Sequence, residues 1–327
     1  MQTLLKNTDA YKLLLTEKEE NRLNHAYLIV MDDARSLRSV LTEFALVFFT
    51  QETENDGGRY ARIENLIRKE SFSDCLFFPK LDKKFAVSDV DEIKEESALN
   101  PVEGDKKLFV IGDFAELGVA QQNKLLKLLE EPPEKVYFLL GATTSYPILQ
   151  TVLSRVKKLE ITPFSEKEIQ DFLLRNYDTE NMDKEKITFY SATANGWVGN
   201  AQNALEESYF DELCMDSFSL CLKEKAIPIL AKKLGESKYK KELISFLRLI
   251  FRDATFIKSG IGKDSLLLRS QIEKVKKVAD RYELSALIYA QTVFTEAEKQ
   301  VKFNTNFAQC IELCFEKIEN KNFIKGS

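Results

Sequence analysis

Histidine occurs once in the 327 residues, as His25. His-based catalytic triads therefore lack their base unless this one residue supplies it, and its place just before an apolar run predicts a structural role. Glycine (12) and proline (7) are scarce, which favours helices over a turn-rich β-sandwich. No apolar run approaches the roughly 18 residues of a membrane span; the longest are Ala45–Phe49 and Val136–Ala142. Met1–Asn7 lacks the basic-then-apolar profile of a signal peptide. Five cysteines form an odd set with no CxxC, so reduced thiols in a cytoplasmic protein are expected. Cys310 and Cys314, four apart, and Cys214 and Cys221, seven apart, read as core residues rather than metal ligands.

Charge of one sign is also lacking. Forty-seven Lys and Arg against 52 Asp and Glu give a net charge of −5, so any nucleic-acid contact must be local or made by partners. The main basic run, Lys232–Arg252, reads as a solvated helix face. What is abundant is apolar side chain, 44% of residues, enough for two or three domains with substantial cores.

The pattern changes near Pro163. Ahead of it, apolar strand candidates (Ala26–Met31, Lys107–Ile111, Lys135–Gly141) alternate with helical patterns. Ser36–Phe49 repeats Leu37, Leu41, Phe44, Ala45 and Phe48 at 3/4 spacing, and Gly118–Glu131 ends sharply at Pro132-Pro133. Continuous apolar strands separated by helices predict a parallel α/β sheet with right-handed crossovers. Beyond Pro163 nearly everything reads helical. Ser165 and Glu168 form a capping box, and Asn195-Gly196-Trp197-Val198-Gly199 leads into another helix. Lys240–Lys258 places Leu243, Leu247, Ile250, Ala254 and Ile257 at 4-3-4-3 spacing, a helix built to pack within the chain or between subunits.

Four blocks, in order, carry a resemblance. They are His25-Ala26-Tyr27-Leu28-Ile29, then Val102-Glu103-Gly104 before Lys107–Ile111, then Asn123 through Pro133, then Ala142-Thr143-Thr144 through Leu153-Ser154-Arg155. Together they resemble the bacterial clamp-loader AAA+ family over roughly Leu23–Pro163, with Val156 replacing the Cys of the Ser-Arg-Cys motif. The resemblance implies an AAA+ module at 1–163, a small helical lid at 164–207 and an all-α collar domain at 208–327. The four-Cys zinc module of many such subunits cannot form, because Cys75 is alone in that interval.

Against that family the nucleotide residues are missing. A P-loop needs glycines to cradle phosphates, a Lys for the β/γ charges and a hydroxyl for Mg²⁺. The corresponding stretch is Met31-Asp32-Asp33-Ala34-Arg35-Ser36-Leu37-Arg38, with no glycine, Leu37 at the lysine position and Arg38 at the hydroxyl. Gly112 stands where a Mg²⁺-holding Asp is expected, followed by Asp113 at the catalytic Glu, and Gln202 replaces the sensor-2 Arg. The expectation is a subunit that binds neither cofactor nor metal and does not hydrolyse ATP. Ser154-Arg155 is kept. In the family this arginine reaches a neighbour's γ-phosphate, so Arg155 is the expected arginine finger in trans, within the Ser154-Arg155 motif. ATP and Mg²⁺ would then sit at the neighbouring subunit. The implied partners are clamp-loader motor (γ/τ) and δ subunits, with the sliding clamp and primer-template DNA reached through the assembled complex and no membrane. Three other readings stay open: an active motor ATPase with an atypical loop, a degenerate AAA+ adaptor unrelated to replication that reuses the ring scaffold, and Arg155 as a surface arginine paired with Glu160.

Overall fold

The computed structural model describes residues 1–49, 58–177, 184–207, 210–223, 227–237, 239–262, 265–301 and 306–323. The chain forms two compact units, Met1–Phe164 and Ser165–Ser327. The first contains α1 (Gln2–Leu5), α2 (Asp9–Glu19), β1 (Ala26–Val30), α3 (Ala34–Phe49), α4 (Arg59–Arg68), β2 (Cys75–Phe78) and α5 (Val87–Ser97). It continues through β3 (Lys107–Ile111), α6 (Val119–Glu130), β4 (Val136–Ala142), α7 (Gln150–Leu153) and β5 (Lys157–Glu160).

All strand pairings are parallel, in the order β2-β3-β4-β1-β5. The central strands are mainly apolar because helices cover both faces; Leu28, Phe109, Ile111, Phe138 and Leu140 are buried in one layer with Leu125 and Leu129 of α6. Phe78, Phe109 and Phe138 stack across neighbouring strands, with centroids 6.4 and 5.5 Å apart. On the other face α3 lies close on β4. A Cβ at Gly141 would stand 2.6 Å from Leu41 Cδ1 and 3.1 Å from Leu37 Cδ1, so only glycine permits this approach. Asp74, fully buried, accepts the backbone N–H groups of Val102, Glu103 and Gly104 at 2.6–2.7 Å and fixes the loop ahead of β3.

The second unit is helical: α8 (Glu166–Asn176), α9 (Lys184–Thr193), α10 (Val198–Glu207), α11 (Phe210–Leu222), α12 (Ile227–Gly235), α13 (Lys240–Lys258), α14 (Ile272–Arg281), α15 (Leu284–Val301) and α16 (Phe307–Phe323). Ser165 caps α8 as expected, its hydroxyl accepting the Glu168 N–H while Glu168 accepts the Ser165 N–H. Asn195 and Gly196, both at positive φ, turn the chain into α10. Helix α13 differs from its one-face pattern. Ile244, Phe246, Leu249 and Phe251 are buried besides Leu243, Leu247, Ile250 and Ala254, because α11, α14 and α15 of the same unit surround it. Its partners are therefore within the chain. Three cations of the basic run that includes it are paired: Lys233 with Asp216, Arg248 with Glu298 and Arg252 with Asp253.

Candidate functional site: a closed loop and an arginine edge

Parallel sheets of this kind place their sites beyond the C-terminal ends of the strands. There the connection after β1 is short. Met31 N–H still pairs with Ala142 O at 3.1 Å, Met31 and Asp33 are buried, and α3 begins at Ala34, two residues ahead of the sequence expectation. Asp33 explains the early start. Its Oδ1 accepts the Ser36 N–H at 3.1 Å and its carbonyl accepts the Leu37 N–H at 3.1 Å, so a carboxylate already sits on the helix N-terminus where a phosphate would bind. Leu37, 3% exposed, turns down onto the sheet over Gly141. Arg38 turns away, forming a fork-on-fork pair with Glu70, donating to Pro79 O at 3.0 Å and covering the Phe77 ring at 5.7 Å. Asp32, Ala34 and Arg35 are exposed.

After β3, Gly112 N–H pairs with Phe78 O at 2.8 Å. A side chain would fit at Gly112, where the nearest atom to an added Cβ is Phe78 O at 3.7 Å, so packing does not demand the glycine. Asp113 adopts φ +29° and accepts from the N–H and hydroxyl of Thr143 after β4, both at 3.4 Å. In the second unit Gln202 donates to Tyr177 Oη at 3.0 Å. The structure thus places the loop, Asp113 and Thr143 together at the C-terminal ends of the strands, whereas Gln202 belongs to the other compact unit.

Arg155 follows α7, whose last turn ends at Ser154. Ser154 Oγ donates to Thr151 O at 3.1 Å, and Arg155 Nη1 donates to Thr151 O at 2.6 Å and to Ser154 Oγ at 3.1 Å. Arg155 Nη2 forms an ion pair with Glu130, the last residue of α6. The pairing with Glu160 does not occur, because Glu160 on β5 pairs with Lys158. One residue escaped the sequence reading. Gln122, 1% exposed, donates to Leu117 O at 2.9 Å and to Pro147 O at 3.2 Å, and accepts the Leu149 N–H at 2.9 Å. It thereby ties the loop that launches α7, and so Arg155, to α6. Its signal was available: a polar residue in register with Leu125 and Leu129 on the buried helix face. His25 Nε2 lies 2.9 Å from Leu129 O, a contact that joins β1 to α6.

Five parallel strands in this order, flanked by helices and followed by a helical unit, are the architecture that the resemblance to AAA+ clamp-loader subunits implies. A family model described as DNA polymerase III, delta subunit, matches residues 6–165. The chain is 23% identical over 316 residues to DNA polymerase III subunit delta' of Bacillus subtilis (strain 168), covering 92% of each protein. It is 31% identical over 138 residues to DNA polymerase III subunit gamma of Buchnera aphidicola subsp. Schizaphis graminum, 41% of this chain and 38% of that one. A DNA polymerase III gamma subunit-related protein of Thermotoga maritima aligns over 96% of this chain and 100% of its own, with TM-score 0.42 and 16% identity. Residues 6–165 thus match the DNA polymerase III, delta subunit model, and nearly the whole chain is similar to a DNA polymerase III subunit delta'.

Proposed function

We propose that the chain is a non-hydrolysing, δ′-type subunit of the bacterial DNA polymerase III clamp loader, which lends Arg155 to an ATP site on a neighbouring subunit. In this reading 1–163 is the AAA+ module, 164–207 its lid and 208–327 the collar that joins the ring. The partners are γ/τ motor subunits and δ. The sliding clamp and primed DNA are reached through the assembly, in the cytoplasm.

The observation that carries the reading is the contrast at one sheet edge. The loop at 31–38 is filled by its own side chains, with Asp33 on the α3 N-terminus and Leu37 in the core. These residues do not fit a magnesium triphosphate: a carboxylate repels it, an isobutyl group cannot offset its charge, and Gly112 offers the metal no ligand. Arg155, by contrast, stands at the surface, one third of its side chain exposed, on a helix end braced by Thr151 and Ser154. A guanidinium so held can give planar, charge-assisted N–H donors to phosphate oxygens and offset charge that develops in phosphoryl transfer.

The test is reconstitution with motor and δ subunits. Arg155→Ala should assemble normally and depress clamp- and DNA-stimulated ATPase, with the loss at the one affected site about 10³–10⁵-fold. Unchanged turnover refutes the finger. The alternative, a γ/τ-type motor with an atypical loop, draws on the gamma relative and predicts micromolar binding of fluorescent ATP by the purified chain.

A further inference from the structure

Glu130 has no part in the reading above, yet its carboxylate holds the very group that reading depends on. Arginine presents its N–H donors as a rigid fork. On Arg155 the Nη1 side is committed to Thr151 O and Ser154 Oγ of its own helix end, and Nη2 is held by Glu130. A phosphate that approaches the Nη2 end therefore meets a carboxylate already bound there. The two residues lie 25 positions apart and meet because α6 stops at Pro132-Pro133 just where α7 ends. Gln122 sets that juxtaposition by tying α6 to the chain ahead of α7.

We infer that Glu130 is a parking residue for Arg155: it holds the guanidinium against the ends of α6 and α7 in the free subunit and competes with the neighbour's γ-phosphate for Nη2. This rests on the finger reading given under the proposed function. Parking here is weak by construction. Both side chains are substantially exposed, 33% for Arg155 and 43% for Glu130, so water screens the pair and a more highly charged phosphate displaces the carboxylate readily. Glu130 then remains beside the triphosphate as a like charge. Removing that charge while keeping the shape should raise the availability of the finger by about 1.5- to 5-fold, the range of an exposed ion pair.

The experiment uses the full chain as wild type, Glu130→Gln, Arg155→Ala and the double variant, each reconstituted with motor and δ subunits, with clamp- and DNA-stimulated ATPase measured at low and high salt. Glu130→Gln should raise kcat/KM for ATP by about 1.5- to 5-fold at low salt, mainly through KM, and the gain should fade at high salt and vanish beside Arg155→Ala. In the isolated chain, Glu130→Gln should also speed the rotation of the Arg155 Nη groups seen by ¹⁵N NMR. An unchanged or lowered kcat/KM for Glu130→Gln, while Arg155→Ala still depresses turnover, overturns the parking role and leaves the finger standing. No effect of Arg155→Ala overturns both. Unchanged Nη rotation shows that the carboxylate does not hold the guanidinium, and overturns the parking role by itself.

Discussion

Restoring the family's lysine at position 37 separates a closed loop from an atypical working one. Leu37 is 3% exposed and its Cδ1 would lie 3.1 Å from a Cβ at Gly141, so the side chain fills the space between α3 and β4. Leu37→Lys forfeits an apolar burial of about 1.5–3 kcal/mol. The ammonium must then be buried neutral or drawn along the helix to water, a further cost of about 1–3 kcal/mol. The sum, about 2.5–6 kcal/mol, divided by a urea slope of about 2 kcal/mol/M for a unit this size, moves the midpoint of the first unit down by about 1.3–3 M. Leu37→Met, which keeps volume and polarity, should cost under about 1.5 kcal/mol. Urea unfolding followed by circular dichroism reads both variants, and a fluorescent-ATP titration is run on the folded Leu37→Lys protein. A Leu37→Lys chain of wild-type stability that binds ATP at micromolar concentration would refute the reasoning, because a loop lacking only its lysine would behave that way.

Gly141→Ala should cost about 1–3 kcal/mol in urea unfolding, since the new Cβ would stand 2.6 Å from Leu41 Cδ1, and Leu41→Val in the same chain should recover part of it. Gln122→Leu should leave the helical circular dichroism intact yet lower the ATPase of the reconstituted loader toward the Arg155→Ala level, because the α7 loop loses its tie; wild-type turnover would show that the tie is dispensable. The Ser165 hydroxyl and N–H, at 2.7 and 2.9 Å, hold the Glu168 carboxyl below its ordinary value of 4.5. A lowered folded pKa means the contribution is complete above the ordinary value and is lost as pH falls through the folded one, so Glu168→Gln should shrink the loss of stability between pH 5 and 3 by a few tenths of a kcal/mol; an identical acid limb in both proteins would contradict this.

The sheet was legible where burial on both faces makes a strand continuous and apolar. Lys107–Ile111 has the expected bounds, and β1 and β4 fall within one residue of theirs. The edges were not. β5 reads Lys-Lys-Leu-Glu with only Leu159 buried, a pattern too polar and too short to mark a strand, and β2 is four residues long. Both are recognised only once β1 and β3 stand beside them. Helix α13 was legible as an element but not in its burial: a 4-3-4-3 stripe fixes one face, whereas Phe246 and Phe251 pack on Phe189 and Phe294, on helices distant in sequence.

The candidate site divides along the same line. Residue identity alone showed the missing glycines, the Leu37 substitution and the retained Ser154-Arg155 pair, because each is a statement about which chemical groups are present. What fills the space they leave is a tertiary question. That Asp33 would cap α3 follows from its place before a helix, but the helix start was set two residues late, at Ser36, and the cap was hidden with it. The partner of Arg155 was sought nearby, at Glu160, and found on α6, since β5 directs Glu160 toward Lys158 while the proline stop of α6 leaves Glu130 beside α7. A short β1–α3 connection and a braced arginine are thus two consequences of one layout. Helices drawn tightly over a parallel sheet fill the turn after β1 with its own side chains, and the same packing braces a guanidinium between the ends of α6 and α7.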